Sequence, residues 1–376
     1  MRILIFSLAY FPFVGGAEVA VREITDRLTD YDFDLISVNL DGKQKKNERI
    51  SRINVYRLPS KYFFPFSACR LARKLHREKN YQIVWAIMAN QAGMAAAHFK
   101  HYLPSVPFLL TLQEGDELTS WSYRLRLLAP RFFGVFRLAD QVQAISNYLA
   151  DWAKRMGAKV PVTVVPNGVD PSGFQVLGSS LQVKKDKEKI IIHTGRLVKK
   201  NGVDILIESL RFLDPKIKLQ ILGTGPLESE LKLQATSYKL QARVEFLGHV
   251  PPDQVAEYLA KADIFVRPSR SEGLGNSFLE AMAVGVPVIG TAVGGIPDFL
   301  KGDALTELKA SPREQTGWLC EVDNPRSVAD KVQYILNPVN CDHVFQVITR
   351  AKKLIEEKYD WDKIVRQMGA IIASLG

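Results

Sequence analysis

Cysteine is scarce in this sequence. Cys69, Cys320 and Cys341 stand far apart, with neither metal-ligand nor redox spacing. That excludes a disulfide scaffold and fits a reducing compartment such as the cytosol. No stretch approaches about 18 uninterrupted apolar residues, so no membrane-spanning helix is expected. The opening MRILIFSLAYFPFVGG has one Arg, a short apolar run and no small-residue cleavage site. It reads as a buried first strand rather than a signal peptide. Low-complexity tracts and internal repeats are missing, and so is a GxGxxG run, which leaves a nicotinamide cofactor little support. Two Asp-x-Asp triplets, Asp32-Phe-Asp34 and Asp360-Trp-Asp362, lie away from the segments that carry chemistry. No metal and no resident cofactor are expected.

Length bounds the architecture. A chain of 376 residues exceeds one typical core and suits two domains of roughly 150–200 residues. The net charge of +10 is unevenly shared: residues 1–170 hold 23 Lys/Arg against 15 Asp/Glu, and the remainder 27 against 25. A basic first half points to an anionic partner, such as an anionic membrane or a phosphorylated substrate. No nucleic-acid-binding module is recognisable, so nucleic acid is not expected.

Short apolar runs alternate with amphipathic helical ones. Strands are expected at Ile3–Ser7, Leu35–Val38, Val55–Leu58, Ile83–Ile87, Phe108–Leu112, Gln141–Ile145 and Thr163–Val165. Ala20, Val21, Ile24 and Leu28 recur at helical spacing between the first two. Residues 171–189, PSGFQVLGSSLQVKKDKEK, break the pattern with Gly, Ser, Pro and charge, and read as a linker. The pattern then restarts with Ile190–Thr194, Leu219–Leu222, Val244–Leu247, Ile264–Val266 and Val288–Ile289. The expectation is an α/β protein of two Rossmann-like, doubly wound domains, residues 1–170 and 190–354, facing across a cleft. Val344–Leu375 reads as helical, with about 355–376 crossing back to the first domain.

The most informative segment is 267–287, RPSRSEGLGNSFLEAMAVGVP. It lies between two apolar strands, at the carboxyl end of the first, where open α/β sheets bind ligands. Gly273 and Gly275 loosen the backbone, Asn276 reads as an N-cap, and Phe278, Leu279, Met282 and Ala283 mark a buried helical face. Free N–H groups at such a helix start attract phosphate. Glu272 and Glu280, on either side of it, can accept hydrogen bonds from sugar hydroxyls. Diphosphate flanked by two hydroxyl-rich groups describes a nucleotide sugar. Three other strand ends add to this. Gly15 and Gly16 open a helix after the first strand, where paired glycines let backbone approach a phosphate. Arg196, after Ile190–Thr194, can pair bidentately with a diphosphate, with Lys199, Lys200 and Asn201 close behind. Gly223 and Gly225 read as a further Gly-opened helix start, and Gly248-His249-Val250 offers backbone groups to a nucleobase edge. Each signal alone also fits a surface turn or a solvated charge; their order carries the argument.

That order, GRLVKKNG, ILGTGP, VEFLGHV, then RPSRSEGLGNSFLEAMAVGVPVIGTAVGGIPD, resembles the donor domain of GT-B glycosyltransferases of the large retaining glycosyltransferase family 4. AISNYLADWAKRMG, VTVVPNGVD and GGAE resemble the same family, so the likeness covers nearly the whole chain. The resemblance implies roles. Arg196 would hold the diphosphate and stabilise the leaving nucleotide. Glu272 would contact the donor sugar, with N–H groups from Gly273, Leu274, Gly275 and Asn276 near sugar and phosphate. Glu280 would bind the ribose diol, and Gly15 and Gly16 would approach the diphosphate as the cleft closes. Anomeric configuration would be retained by attack on the face that the phosphate leaves, and no bound metal would be required.

Two departures stand out. Relatives usually carry Lys where this chain has Asn201, so Lys199 or Lys200 would have to reach the phosphates, or Arg196 would act with the helix end alone. Relatives often carry His where this chain has Gln113, within Thr111-Leu112-Gln113-Glu114-Gly115-Asp116. Gln113 cannot act as a general base, although it can hydrogen-bond a donor-sugar hydroxyl; Glu114 and Asp116 are further candidate cleft carboxylates.

The acceptor side should follow the charge excess. Lys61-Tyr-Phe-Phe-Pro-Phe66 sets aromatics beside a cation, and residues 121–138 mix Trp121, Phe132, Phe133 and Phe136 with Arg124, Arg126, Arg131 and Arg137. Such mixtures suit an anionic headgroup boundary, and equally a helix buried against the sheet with solvated arginines. The expectation is a cytoplasmic transferase, peripheral on the inner membrane face, moving a sugar to a glycan or lipid-linked acceptor. A nucleotide-sugar epimerase and a lapsed nucleotide-sugar-binding subunit remain open alternatives.

Overall fold

The computed structural model describes residues 1–116, 130–170, 188–302 and 313–376, with residues 130–133 described by backbone alone. The chain divides into two compact units, Met1–Gly168 with Trp361–Gly376, and Val169–Asp360.

The first unit is built on an eight-stranded sheet in the order β3-β4-β2-β1-β5-β6-β7-β8. Its strands are β1 (Arg2–Phe6), β2 (Asp32–Val38), β3 (Asn47–Ile50), β4 (Ile53–Leu58), β5 (Ile83–Ile87), β6 (Phe108–Leu112), β7 (Gln141–Ala144) and β8 (Val162–Val164). All pairings are parallel except β3 on β4. Helices α1 (Gly16–Arg27), α2 (Phe64–Lys79), α3 (Gln91–Tyr102), α4 (Pro130–Leu138) and α5 (Asn147–Arg155) link the strands. The central strands IVWAI and FLLTL are buried at every residue, as expected of a parallel sheet covered on both faces.

The second unit restarts the pattern as a six-stranded, wholly parallel sheet in the order β11-β10-β9-β12-β13-β14. Its strands are β9 (Lys189–Thr194), β10 (Ile217–Leu222), β11 (Val244–Gly248), β12 (Ile264–Arg267), β13 (Val288–Thr291) and β14 (Trp318–Cys320). Strand order reverses between β9 and β12, which makes their carboxyl ends a topological switch point. Helices α6 (Val203–Ser209), α7 (Glu228–Ser237), α8 (Pro252–Lys261), α9 (Asn276–Val284), α10 (Pro325–Leu336) and α11 (Cys341–Lys358) belong to this unit. Leu197, Leu206, Leu219 and Ile221 lie at its centre, fully enclosed.

The structure differs from the sequence expectation in four places. Two short edge strands, β3 and β14, escape an apolar pattern because edge positions alternate or run only three residues. Lys189, read as linker, already belongs to β9; residues 171–187 of that linker lie outside the described residues. Val344–Leu375 is two helices, α11 and α12 (Trp361–Leu375), separated at Tyr359-Asp360. There the Val169 N–H donates to Tyr359 O at 2.7 Å, and Val169 pairs with Asp360 as an isolated bridge. Helix α12 then packs on α1: Trp361, Ile364, Met368 and Ile372 share one core with Ala20, Val21 and Ile24. Each such side chain contributes roughly 1.5–3 kcal/mol on burial, so the last helix is integral to the first unit.

Candidate functional site

The second unit brings Arg196, Asn201, Glu272 and the start of α9 to the carboxyl ends of β9 and β12. The strand-end loops meet backbone to backbone. A Cβ on Gly223, whose φ is +135°, would lie 2.0 Å from Gly195 O, and one on Gly294, φ +58°, would lie 1.8 Å from Glu272 O. No side chain fits at either place. Gly223 and Gly225 therefore serve close approach to the 195–197 loop, and not a helix start as read from sequence: α7 begins only at Glu228, after Leu227.

Arg267, the last residue of β12, is the centre of this cluster. Its Nη2 donates to Glu272 Oε2 at 2.6 Å and to Asn201 Oδ1 at 2.8 Å, and its Nη1 donates to Ser277 Oγ at 2.8 Å. Arg267 and Glu272 form an ion pair with each side chain only 11% exposed. Arg267 Nε is buried with no partner among the described residues. Sequence reading passed this residue over, because an Arg before Pro at a strand end resembles a solvated charge. A signal was nonetheless present: a cation at 267 and an amide at 201, the position at which the family resemblance implies lysine.

Asn201 is 2% exposed, and both ends of its amide are engaged: Oδ1 by Arg267, and Nδ2 by Arg196 O at 2.6 Å. It is consumed by the protein interior rather than offered outward. The Arg196 side chain is exposed and pairs with no carboxylate among the described residues. Lys199 Nζ is held by Asp204 at 2.9 Å. Arg270 clamps the same carboxylate with two nitrogens at 2.8 Å each. Burial raises the Asp204 pKa, but Arg270 and Lys199 outweigh it and leave the group below its ordinary value. Lys200 is half-buried, and its carbonyl accepts from Arg270 N at 2.7 Å.

Glu272 Oε1 accepts from Gly273 N at 3.0 Å, so both oxygens of this carboxylate are oriented. Leu274 is buried, and Gly275 at φ +103° is the residue preceding α9, with no side-chain cap. Asn276 is the first helical residue and not the N-cap expected from sequence, because the left-handed Gly275 turns the chain directly into the helix. Glu280, one turn on, is partly exposed, yet packing around it withholds water. Burial pushes its carboxyl up to about 7, against the opposing pull of Arg267. His193 is fully buried, and its Nδ1 lies 3.1 Å from Val266 O. A carbonyl only accepts, so Nδ1 carries the proton. Burial, reinforced by the Arg267 charge, pushes its pKa down to about 3 and keeps it neutral. Val250 follows β11 and is half-buried; Gly248 O accepts from Gly223 N at 2.7 Å.

The remaining candidates belong to the first unit. Gly15 precedes α1 in extended conformation and Gly16 is its first residue, both exposed. A Cβ on Gly15 would meet Glu18 Oε2 at 2.8 Å, so the helix's own carboxylate lies at this N-terminus. Burial raises the Glu18 pKa, partly offset by backbone N–H groups of Glu18 and Gly15. Gln113 is buried and accepts from Asn167 Nδ2 at 3.1 Å. Glu114 is buried and accepts from Ala89 N at 2.5 Å; Asp116 is exposed. Trp121, Arg124 and Arg126 lie outside the described residues, as do the side chains of Arg131, Phe132 and Phe133. Phe136 is buried against Trp152 rather than displayed at a surface. Asp34 of the first Asp-x-Asp is tied to Lys79 Nζ at 2.7 Å.

Residues 180–367 match the family model for glycosyl transferases group 1, and residues 14–172 match that for glycosyltransferase family 4. The chain belongs to the group 1, family 4 glycosyltransferases. An uncharacterised glycosyltransferase of Methanocaldococcus jannaschii is 32% identical over 404 residues, covering 98% of this chain and 96% of its own. The alpha-monoglucosyldiacylglycerol synthase of Streptococcus pneumoniae is 27% identical over 77% of this chain and 70% of its own. Among solved structures, Anabaena HepE in complex with UDP-glucose has a TM-score of 0.80 at 19% identity, with both chains covered in full. The fold of this glycosyltransferase is thus GT-B, with two parallel-sheet α/β domains.

Proposed function

We propose that this glycosyltransferase moves a hexose from a nucleotide-diphosphate sugar to a glycan or lipid-linked acceptor, with retention of anomeric configuration. One observation carries the reading: an exposed arginine, Arg196, a carboxylate fixed at both oxygens, Glu272, and the opening of α9 meet at the switch point of the second sheet. There Arg196 neutralises charge developing on the leaving diphosphate, so this reading assigns that task to a side chain and not to a metal. Glu272 accepts from the donor sugar, and Glu280 from the ribose diol. Gln113 has no basic nitrogen; in same-face attack the leaving phosphate oxygen takes the acceptor's hydroxyl proton as the new glycosidic bond forms. UDP-glucose in the HepE structure supports a nucleotide-sugar donor, and the diacylglycerol product in the streptococcal relative's name supports a lipid acceptor. Tyr62, Phe63 and Phe66 are 88%, 69% and 58% exposed beside exposed Lys61 and Arg70. That surface supports peripheral attachment to an anionic inner membrane face. None of the described helices is long and apolar enough to cross a membrane.

A thermal-shift screen of nucleotide sugars, followed by transfer assays with glycan and lipid acceptors, tests the proposal. Stabilisation by a nucleotide sugar and a product of unchanged anomeric configuration are expected. Inversion, isomerisation of the donor sugar without transfer, or binding without turnover across suitable acceptors would each overturn it.

A further inference from the structure

The Arg267 guanidinium joins two segments that sequence keeps apart. Through Nη2 it holds Glu272, and through Asn201 it reaches the carbonyl of Arg196, since Asn201 Oδ1 accepts from Arg267 while Nδ2 donates to Arg196 O. A third bond, to Ser277, ties it to the first turn of α9. One planar cation thus touches the loop after β9, the loop after β12 and the helix opening. Its charge also acts on the Glu280 carboxyl and on the neutral ring of His193, and a Cβ on Gly195 would lie 3.6 Å from both Arg267 Nη1 and His193 Nε2. We infer that Arg267 and Asn201 form a matched pair that sets Arg196 and Glu272 in register for the donor, an inference that rests on the donor-site reading above. Arg267 is a positioning residue here.

The pairing has a chemical logic. Glu272 Oε2 and Asn201 Oδ1 are held by the same nitrogen, so the site has room for one positive charge between them. An amide at 201 accepts from a guanidinium and also donates to Arg196 O; a lysine there has no acceptor and would set a second cation against Arg267. With Arg267 shortened to an apolar side chain, the space opens. A lysine at 201, longer than asparagine, would then place its ammonium in the space the guanidinium vacates, beside Glu272, which shares the same Arg267 nitrogen with Asn201. On this inference Arg267 requires an acceptor at 201, and a lysine at 201 requires that Arg267 be absent.

A double-mutant cycle tests this. Arg267→Met, Asn201→Lys and the double variant are compared with wild type for binding of uridine, guanosine and adenosine diphosphates by calorimetry, and for kcat and KM with the corresponding nucleotide sugars. Circular dichroism reports folding. The expected result is at least tenfold weaker binding in each single variant, and recovery to within about threefold of wild type in the double variant. Single variants that bind as wild type, or a double variant no better than the weaker single one, would overturn the inference. Wild type that binds none of the three diphosphates and none of their sugars would instead overturn the donor site itself, and this inference with it. If Arg267→Met does not fold, Asn201→Ala keeps the Arg267–Glu272 pair and removes both bonds of the Asn201 amide, to Arg267 and to Arg196 O. Several-fold weaker binding is then expected, and unchanged affinity would overturn the coupling.

Discussion

Arg267 Nη2 and Glu272 Oε2 lie 2.6 Å apart with both side chains 11% exposed, so each is the other's principal counter-charge. Removing one partner of a buried pair strands the other charge, at a cost of about 3–5 kcal/mol. Glu272→Ala should therefore lower the urea midpoint as well as transfer. A variant that loses transfer while keeping wild-type stability would show that the pair is not needed for folding.

Arg196 stands in contrast. Its side chain is exposed, so Arg196→Ala should change stability by no more than about 0.5 kcal/mol. In the proposed role it supplies charge to the leaving group. Loss of one preorganised donor of that kind lowers turnover by about 10²–10³. Steady-state kinetics beside a thermal melt separate the two effects.

Glu280 and His193 pull pH dependence in opposite directions. Glu280 titrates near 7 when folded and near its ordinary acid value when unfolded, so the folded state holds an extra proton between and its stability falls as pH rises through that window. His193 is pushed down to about 3, so the unfolded state holds the extra proton below about 6.5 and stability falls as pH drops. From about 4.5 to 6.5 the two nearly cancel. Glu280→Gln unmasks His193: stability of the second unit should then rise with pH, by up to about 1.4 kcal/mol per unit. A profile as flat as wild type would contradict this. In the proposed ribose role, nucleotide affinity should strengthen as Glu280 ionises near pH 7, and Glu280→Gln should remove that component.

At the first unit's surface, Phe63→Ser with Phe66→Ser should reduce flotation with anionic vesicles at low salt while leaving the melting temperature unchanged. Equal flotation of the double variant and wild type would remove this patch from the membrane argument.

Much of the fold was legible because parallel strands buried on both faces read as unbroken apolar runs. The carboxyl ends of those runs then located Arg196, Glu272 and Gly223. Orientation within the site was not legible. Whether an amide at 201 points outward or is consumed by Arg267, 66 positions away, depends on register between β9 and β12, which no local pattern encodes. The Asn276 reading failed for a related reason: Asn is a good N-cap only if the chain enters the helix through an extended residue, and Gly275 enters it left-handed. The edge strand β14 was missed because WLC carries too few residues for any period.

Helix α12 also bears on the order in which the protein can mature. Trp361, Ile364, Met368 and Ile372 complete the core around α1, yet roughly 190 residues of the second unit are made between Gly168 and Trp361. At about 5–20 residues per second, the first unit waits roughly 10–40 seconds on the ribosome with one flank of its core uncovered. The second unit has its whole sequence by Asp360, so the later-made unit can complete its core before the earlier-made one.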